Sequence, residues 1–75
     1  DALLWQAFRQ GDKAAYEKIY RTYAKELYEY AYRFQVDKQL IHDCLQDLFV
    51  ELWLKRERLA ETTSIGFYLM KALRN

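Results

Sequence analysis

Apolar residues recur along this chain at intervals of three and four, the spacing of a helix with one buried stripe. Leu3, Leu4, Trp5 and Phe8 predict a short amphipathic helix that stops at Gly11, a residue suited to the left-handed position just past a helix end. Asp12 can cap the next helix, which the pattern carries to about Arg33 or Phe34. Its Tyr16, Tyr20, Tyr23, Leu27, Tyr30 and Phe34 are spaced as a packing seam, widened by Ile19, Tyr28, Ala31 and Tyr32. After a break at Gln35 and Val36, Asp37 is a second cap, and a third helix should run from Lys38 to about Leu59. Glu61, Thr62, Thr63 and Ser64 read as a polar connector. Thr63 or Ser64 then caps a last helix in which Ile65, Tyr68, Leu69 and Ala72 repeat at helical spacing. The expected fold class is all-α, a small bundle of about four helices.

The stretch IHDCLQDLFVELW carries two faces on one helix. Ile41, Leu45, Leu48, Phe49, Leu52 and Trp53 make a stripe that a core absorbs. Asp43, Gln46, Asp47 and Val50 fall at i, i+3, i+4 and i+7 and make a second. Two carboxylates on a helix are ordinarily a solvated face. Asp is a poor helix former, however, and this pair at i, i+4 repels by a few tenths of a kcal/mol. No Lys or Arg stands three or four residues from Asp47 to relieve it. An arginine-bearing partner relieves it, because the guanidinium fork matches a carboxylate in two parallel hydrogen bonds. Val50 would add apolar contact at the same surface.

Length and composition narrow the setting. A 75-residue chain makes one domain, residues 1–75, and hides only about 60% of the surface its unfolded form exposes. Rings are 17% of residues, seven of them Tyr, and each buries roughly 150 to 250 Å², which suits a thin core. There is no proline, and Gly11 and Gly66 are the two glycines. A single cysteine, Cys44, excludes a disulfide framework within the chain and points to a reducing, cytoplasmic setting. No apolar run approaches the ~18 residues of a membrane span. Net charge is +1, yet residues 37–54 hold one basic and four acidic groups, and residues 55–75 hold five basic and two acidic. An acidic middle followed by a basic end suggests two different partners.

The basic end, KRERLAETTSIGFYLMKALRN, combines Lys55, Arg56, Arg58, Lys71 and Arg74 with the short polar groups of Thr62, Thr63 and Ser64 and the rings of Phe67 and Tyr68. Cations that track phosphates beside rings that shape a place for bases are the ingredients of a single-strand surface. Of the two adjacent rings, Tyr68 belongs rather to the core. Catalysis and metal binding find no support, because His42, Asp43 and Cys44 are consecutive and a helix points them about 100° apart. Neither a cofactor nor a metal is expected.

Three ordered patterns carry a resemblance: W-x-x-F-x-x-G-D-x-x-A-Y from Trp5 to Tyr16, D-x-x-Q-D-x-F-x-x-L-W from Asp43 to Trp53, and S-I-x-x-Y-L-x-x-x-L-R-N from Ser64 to Asn75. Together they resemble region 2 of a bacterial RNA polymerase sigma factor, most closely of the extracytoplasmic-function class. The resemblance implies a transcription initiation factor domain with two jobs. Its Asp43, Gln46, Asp47 and Val50 face would dock on the arginine-bearing clamp helices of the β′ subunit of core RNA polymerase. Its connector, residues 60–64, would capture a base of the non-template strand of the minus-ten promoter element. Lys55, Arg56, Arg58, Thr62, Thr63, Ser64, Phe67, Lys71, Arg74 and Asn75 would line that DNA. The family more often has Glu where Asp47 stands, so the reach is one methylene shorter here, and Cys44 and His42 stand where aliphatic and small or acidic residues are commoner.

The resemblance further implies a helix-turn-helix domain for the minus-thirty-five element after Asn75, so the chain is expected to be a piece of a longer one. An anti-sigma factor is a further candidate partner for the acidic face. The alternative is a helical protein-protein interaction module without DNA binding, in which the same stripe and face meet another helical protein.

Overall fold

The structure, a computed structural model, describes residues 1–74. Four α-helices follow one another: α1 (Ala2–Arg9), α2 (Lys13–Ala31), α3 (Lys38–Leu54) and α4 (Ile65–Arg74), with a 3-10 turn at Arg56–Arg58 between the last two. The all-α bundle read from the sequence is the observed fold. α2 lies at its centre and packs against each of the other helices, while α1 also touches the 3-10 turn.

Local chemistry sets most of the boundaries. Gly11 has a φ of 96°, and the amides of Gly11 and Asp12 return to the carbonyls of Phe8 at 2.9 Å and Ala7 at 3.1 Å. This is a Schellman ending, which satisfies two carbonyls that a helix end otherwise leaves open. The Asp12 carboxylate accepts from Ala14 N at 2.9 Å and Ala15 N at 3.2 Å, so one helix stops and the next starts within three residues. Asp37 does the same for α3, accepting from Gln39 N at 3.0 Å and Leu40 N at 3.3 Å. At α4 it is Ser64 whose hydroxyl accepts from Phe67 N, at 3.3 Å.

Two ends and one stripe differ from the sequence reading. α2 stops at Ala31 rather than at Arg33 or Phe34, because the last turn tightens: Arg33 N and Phe34 N bond three residues back, to Tyr30 O and Ala31 O. α3 stops at Leu54, not near Leu59. Its end is tertiary in origin. The Arg56 guanidinium folds back 4.1 Å from the centre of the Trp53 ring and donates to the Trp53 carbonyl at 2.9 Å. The Trp5 indole N–H, 55 residues away in sequence, holds the Ala60 carbonyl at 2.8 Å. Leu59 thereby turns onto the core instead of continuing outward. On α2 the buried line is Ala15, Ile19 and Leu27, with Tyr23 and Ala31 half-buried in register. Tyr20 and Phe34, placed on the seam from the sequence, are 45% and 62% exposed. The Tyr20 hydroxyl needs water or a partner, so that ring flanks the aliphatic line rather than forms it, and Phe34 lies beyond the end of α2.

The core closes around Trp5, Phe8, Ile19, Leu27, Ile65 and Leu69, joined by Ile41, Leu45, Phe49 and Leu52 of α3. α4 comes so near α2 at Gly66 that a Cβ there would stand 3.0 Å from the Tyr23 ring. Tyr16 bridges α2 and α3, donating its hydroxyl to the Phe49 carbonyl at 2.7 Å. Burial, with the nearby Tyr20 hydroxyl adding, holds its pKa above the usual phenol value. The unfolded chain therefore ionises Tyr16 first, so this residue's share of stability is intact below about pH 10 and is lost as pH rises beyond it. Tyr16→Phe should cost about 0.5 to 1.5 kcal/mol at neutral pH. Urea melts at pH 7 and pH 10.5 should show the gap between wild type and variant narrowing at the higher pH, and a constant gap would count against the assignment.

Candidate functional site

α3 divides as its sequence pattern requires. Ile41, Leu45, Phe49 and Leu52 are buried, and Asp43, Gln46, Asp47 and Val50 face outward, Val50 at 56% exposure. Asp43 accepts from the Gln39 amide at 3.0 Å, one turn earlier on the same helix. Gln46 and Asp47 have no side-chain hydrogen bond or ion pair among the described residues. Glu51, one turn beyond Asp47, is taken by Lys55 at 3.2 Å. The face thus offers carboxylates and an amide already displayed at the surface, with no internal cation to be displaced before a partner's guanidinium arrives. Beside it the surface becomes apolar. Val50, with Gln46, lines a groove of about 830 Å³ between α2 and α3, walled by Tyr16, Tyr20, Phe49 and Trp53.

The second candidate surface is more divided. Arg58 and Lys71 are exposed and make no ion pair among the described residues, while Lys55 is held by Glu51. Arg56 is half-buried on Trp53 and serves the turn that ends α3. Arg74 lies 5.5 Å from the centre of the Phe34 ring, in a cleft with Tyr30, Leu40 and Cys44 rather than at the connector. Phe67 is 68% exposed, and Tyr68 turns inward to 5.1 Å from the Trp5 ring, the core position its spacing predicts. Asn75 lies outside the described residues. Cys44 is exposed.

The connector has its own geometry. The Thr62 hydroxyl lies 3.2 Å from both the amide and the carbonyl of Ser64, which folds the loop on itself before Ser64 caps α4. Glu61, Thr62 and Thr63 form one wall of a cleft of about 510 Å³. The other wall is α1, through Trp5, Gln6 and Arg9. Sequence reasoning named the loop and missed this wall. Gln6 and Arg9 look like ordinary surface residues until Trp5 ties α1 to Ala60, and nothing local to either segment signals that contact.

Among the described residues no helix is long and apolar enough to cross a membrane. The geometry belongs to a small helical module with a bare acidic face and, at the connector, a cleft lined by polar and charged groups. No curated protein and no solved structure matches the chain. The model of the family described as Sigma-70 region 2 matches residues 19–75, which take in α3 with its acidic face, the connector and α4. Matched over well more than half its length, the chain belongs to the sigma-70 region 2 family.

Proposed function

We propose that Asp43, Gln46, Asp47 and Val50 dock on the arginine-bearing clamp helices of the RNA polymerase β′ subunit, and that the connector captures a base of the minus-ten non-template strand. Membership of the family carries the coarser statement: this is a transcription initiation domain whose partners are RNA polymerase and promoter DNA, from a family of non-enzymatic factors. The observation that supports the finer reading is the exposed, cation-free face of α3. Guanidinium forks would seat on Asp43 and Asp47, Gln46 would supply both a donor and an acceptor, and Val50 would seal the contact against water.

Docking would then bring the connector to the strand. Unstacking one base costs a few kcal/mol, which polymerase contacts would offset; the exposed cations Arg58 and Lys71, with Lys55 once released from Glu51, would meet phosphates, and the exposed Phe67 ring would stack. A cytoplasmic setting follows from such partners. An anti-sigma protein that covers the same face would exclude polymerase.

The test is equilibrium binding of the chain to core polymerase, followed by binding of non-template oligonucleotides to the complex. Capture that weakens as salt rises, with discrimination among bases, is the expected result. Thr62→Ala with Thr63→Ala should blunt that discrimination while leaving the α4 cap intact. Adding Ser64→Ala also removes the cap, at about 1 kcal/mol, so helicity is monitored alongside. Polymerase capture with no base preference would leave the docking reading standing and overturn base capture.

A further inference from the structure

At the end of α4 away from the connector, where α2 stops and α3 starts, the bundle leaves a different kind of cleft. Its volume is about 420 Å³, and its walls are mostly apolar, among them Tyr30, Phe34, Leu40, Cys44 and Leu73. Phe34 and Leu40 are 62% and 48% exposed, so apolar surface that the rest of the bundle covers stays open here. Two cations stand over its rings. The Arg74 guanidinium lies 5.5 Å from the centre of the Phe34 ring and that of Arg33 5.9 Å from the Tyr30 ring, and the two rings meet edge to face at 5.4 Å. Neither arginine makes an ion pair among the described residues. The carboxylate at the start of α3, Asp37, is occupied by the amides of Gln39 and Leu40. A guanidinium over a ring is weakly hydrated and keeps its N–H edge free, which suits it to receive a carboxylate beside apolar surface.

We propose that this cleft binds a small amphipathic carboxylate, its apolar body between Tyr30, Phe34, Leu40 and Leu73 and its anionic end on Arg74. Size favours a small molecule over a partner helix. The volume lies within the range of roughly 300 to 1,000 Å³ that small organic ligands occupy, and three helix ends bound the cleft, which leaves no long groove. Charge fixes the sign of the ligand. An apolar body alone gains from burial whatever its end group, but only an anion gains from a guanidinium that no carboxylate of the chain has taken. The inference depends neither on polymerase docking nor on base capture.

The chain carries its own reporter, because its one cysteine, Cys44, is exposed on the cleft wall. The test follows alkylation of Cys44 by iodoacetamide while decanoate is added, below the concentration at which decanoate forms micelles and with helicity monitored by circular dichroism. Decanoate should slow the reaction along a saturable curve, and decanol and decylammonium should need about tenfold to a hundredfold more to match it, the worth of one charge-assisted hydrogen bond. Arg74→Gln should weaken decanoate by the same factor and leave decanol unchanged. Leu40→Glu puts a carboxylate in the cleft itself and should abolish protection by decanoate. It stands in the first turn of α3, three residues after the Asp37 cap, where an acidic side chain favours the helix, so this variant is expected to fold. Should either variant fail to fold, the three ligands on wild type alone decide. Equal protection by decanol or decylammonium overturns the proposal, as does no protection by decanoate, or protection that comes only with loss of helicity. Vesicles of anionic phospholipid that protect Cys44 where monomeric decanoate does not would make this end a membrane contact and overturn it too.

Discussion

Asp47→Arg should abolish capture of core RNA polymerase while leaving the domain as stable as wild type or slightly more so. The two effects separate because of what surrounds Asp47. Its neighbours one turn away on α3 are Asp43 and Glu51, both acidic. An arginine between them exchanges like-charge repulsion for two i, i+4 attractions, each of about 0.2 to 0.5 kcal/mol. Arginine is also the better helix former. At a cationic docking surface the sign reverses. A lost charge-assisted pair costs about 2 to 5 kcal/mol, before the repulsion between the new cation and the partner's arginines is added. That is a loss of roughly thirtyfold to several thousandfold in affinity. Asp47→Asn should fall between, since an amide keeps the hydrogen bond without the charge. A melt and a binding isotherm on the same preparation read both effects. Undiminished polymerase binding by a folded Asp47→Arg variant would falsify the docking face, whereas loss of both binding and helicity would mean that Asp47 is structural.

The acidic face could be read from sequence because a single period decides it. Residues 41, 45, 49 and 52 and residues 43, 46, 47 and 50 cannot share one side of a helix, and the apolar set must be the buried one. The same logic misplaced the centre of α2, where tyrosines satisfy the spacing of a seam yet Ile19 lies fully buried and Tyr20 stays 45% exposed. Spacing identifies a stripe, but the hydroxyl decides which members of it may go deepest. The end of α3 was illegible for another reason. Lys55 to Leu59 are residues that helices accept, with neither Gly nor Pro among them, and the helix stops only because Arg56 finds the Trp53 ring and Trp5 finds Ala60. The α1 wall of the connector cleft was hidden by the same long-range bond.

That bond carries the second large effect. Trp5 is 1% exposed, packs at 5.3 Å from Phe8 and 5.1 Å from Tyr68, and ties the connector down through Ala60. Trp5→Ala should cost about 3 to 5 kcal/mol through the lost burial and the cavity left behind. Native domains hold about 5 to 15 kcal/mol in all, and one this small stands near the lower end, so the variant should be largely unfolded at 37 °C. Trp5→Phe separates packing from tethering. It keeps a ring in the core and removes the N–H, leaving the Ala60 carbonyl to water, because Ala60 is itself exposed. The stability loss should therefore be near 1 kcal/mol. Its larger consequence is local. With the connector released from α1, amide exchange at Glu61 to Ser64 should accelerate well beyond the change in global stability, and base discrimination should weaken because the two walls of the cleft no longer keep a fixed separation. Hydrogen exchange followed residue by residue measures this directly. If connector amides in Trp5→Phe exchange no faster than global unfolding accounts for, then the indole N–H is not what holds the loop, and α1 contributes to the bundle by packing alone.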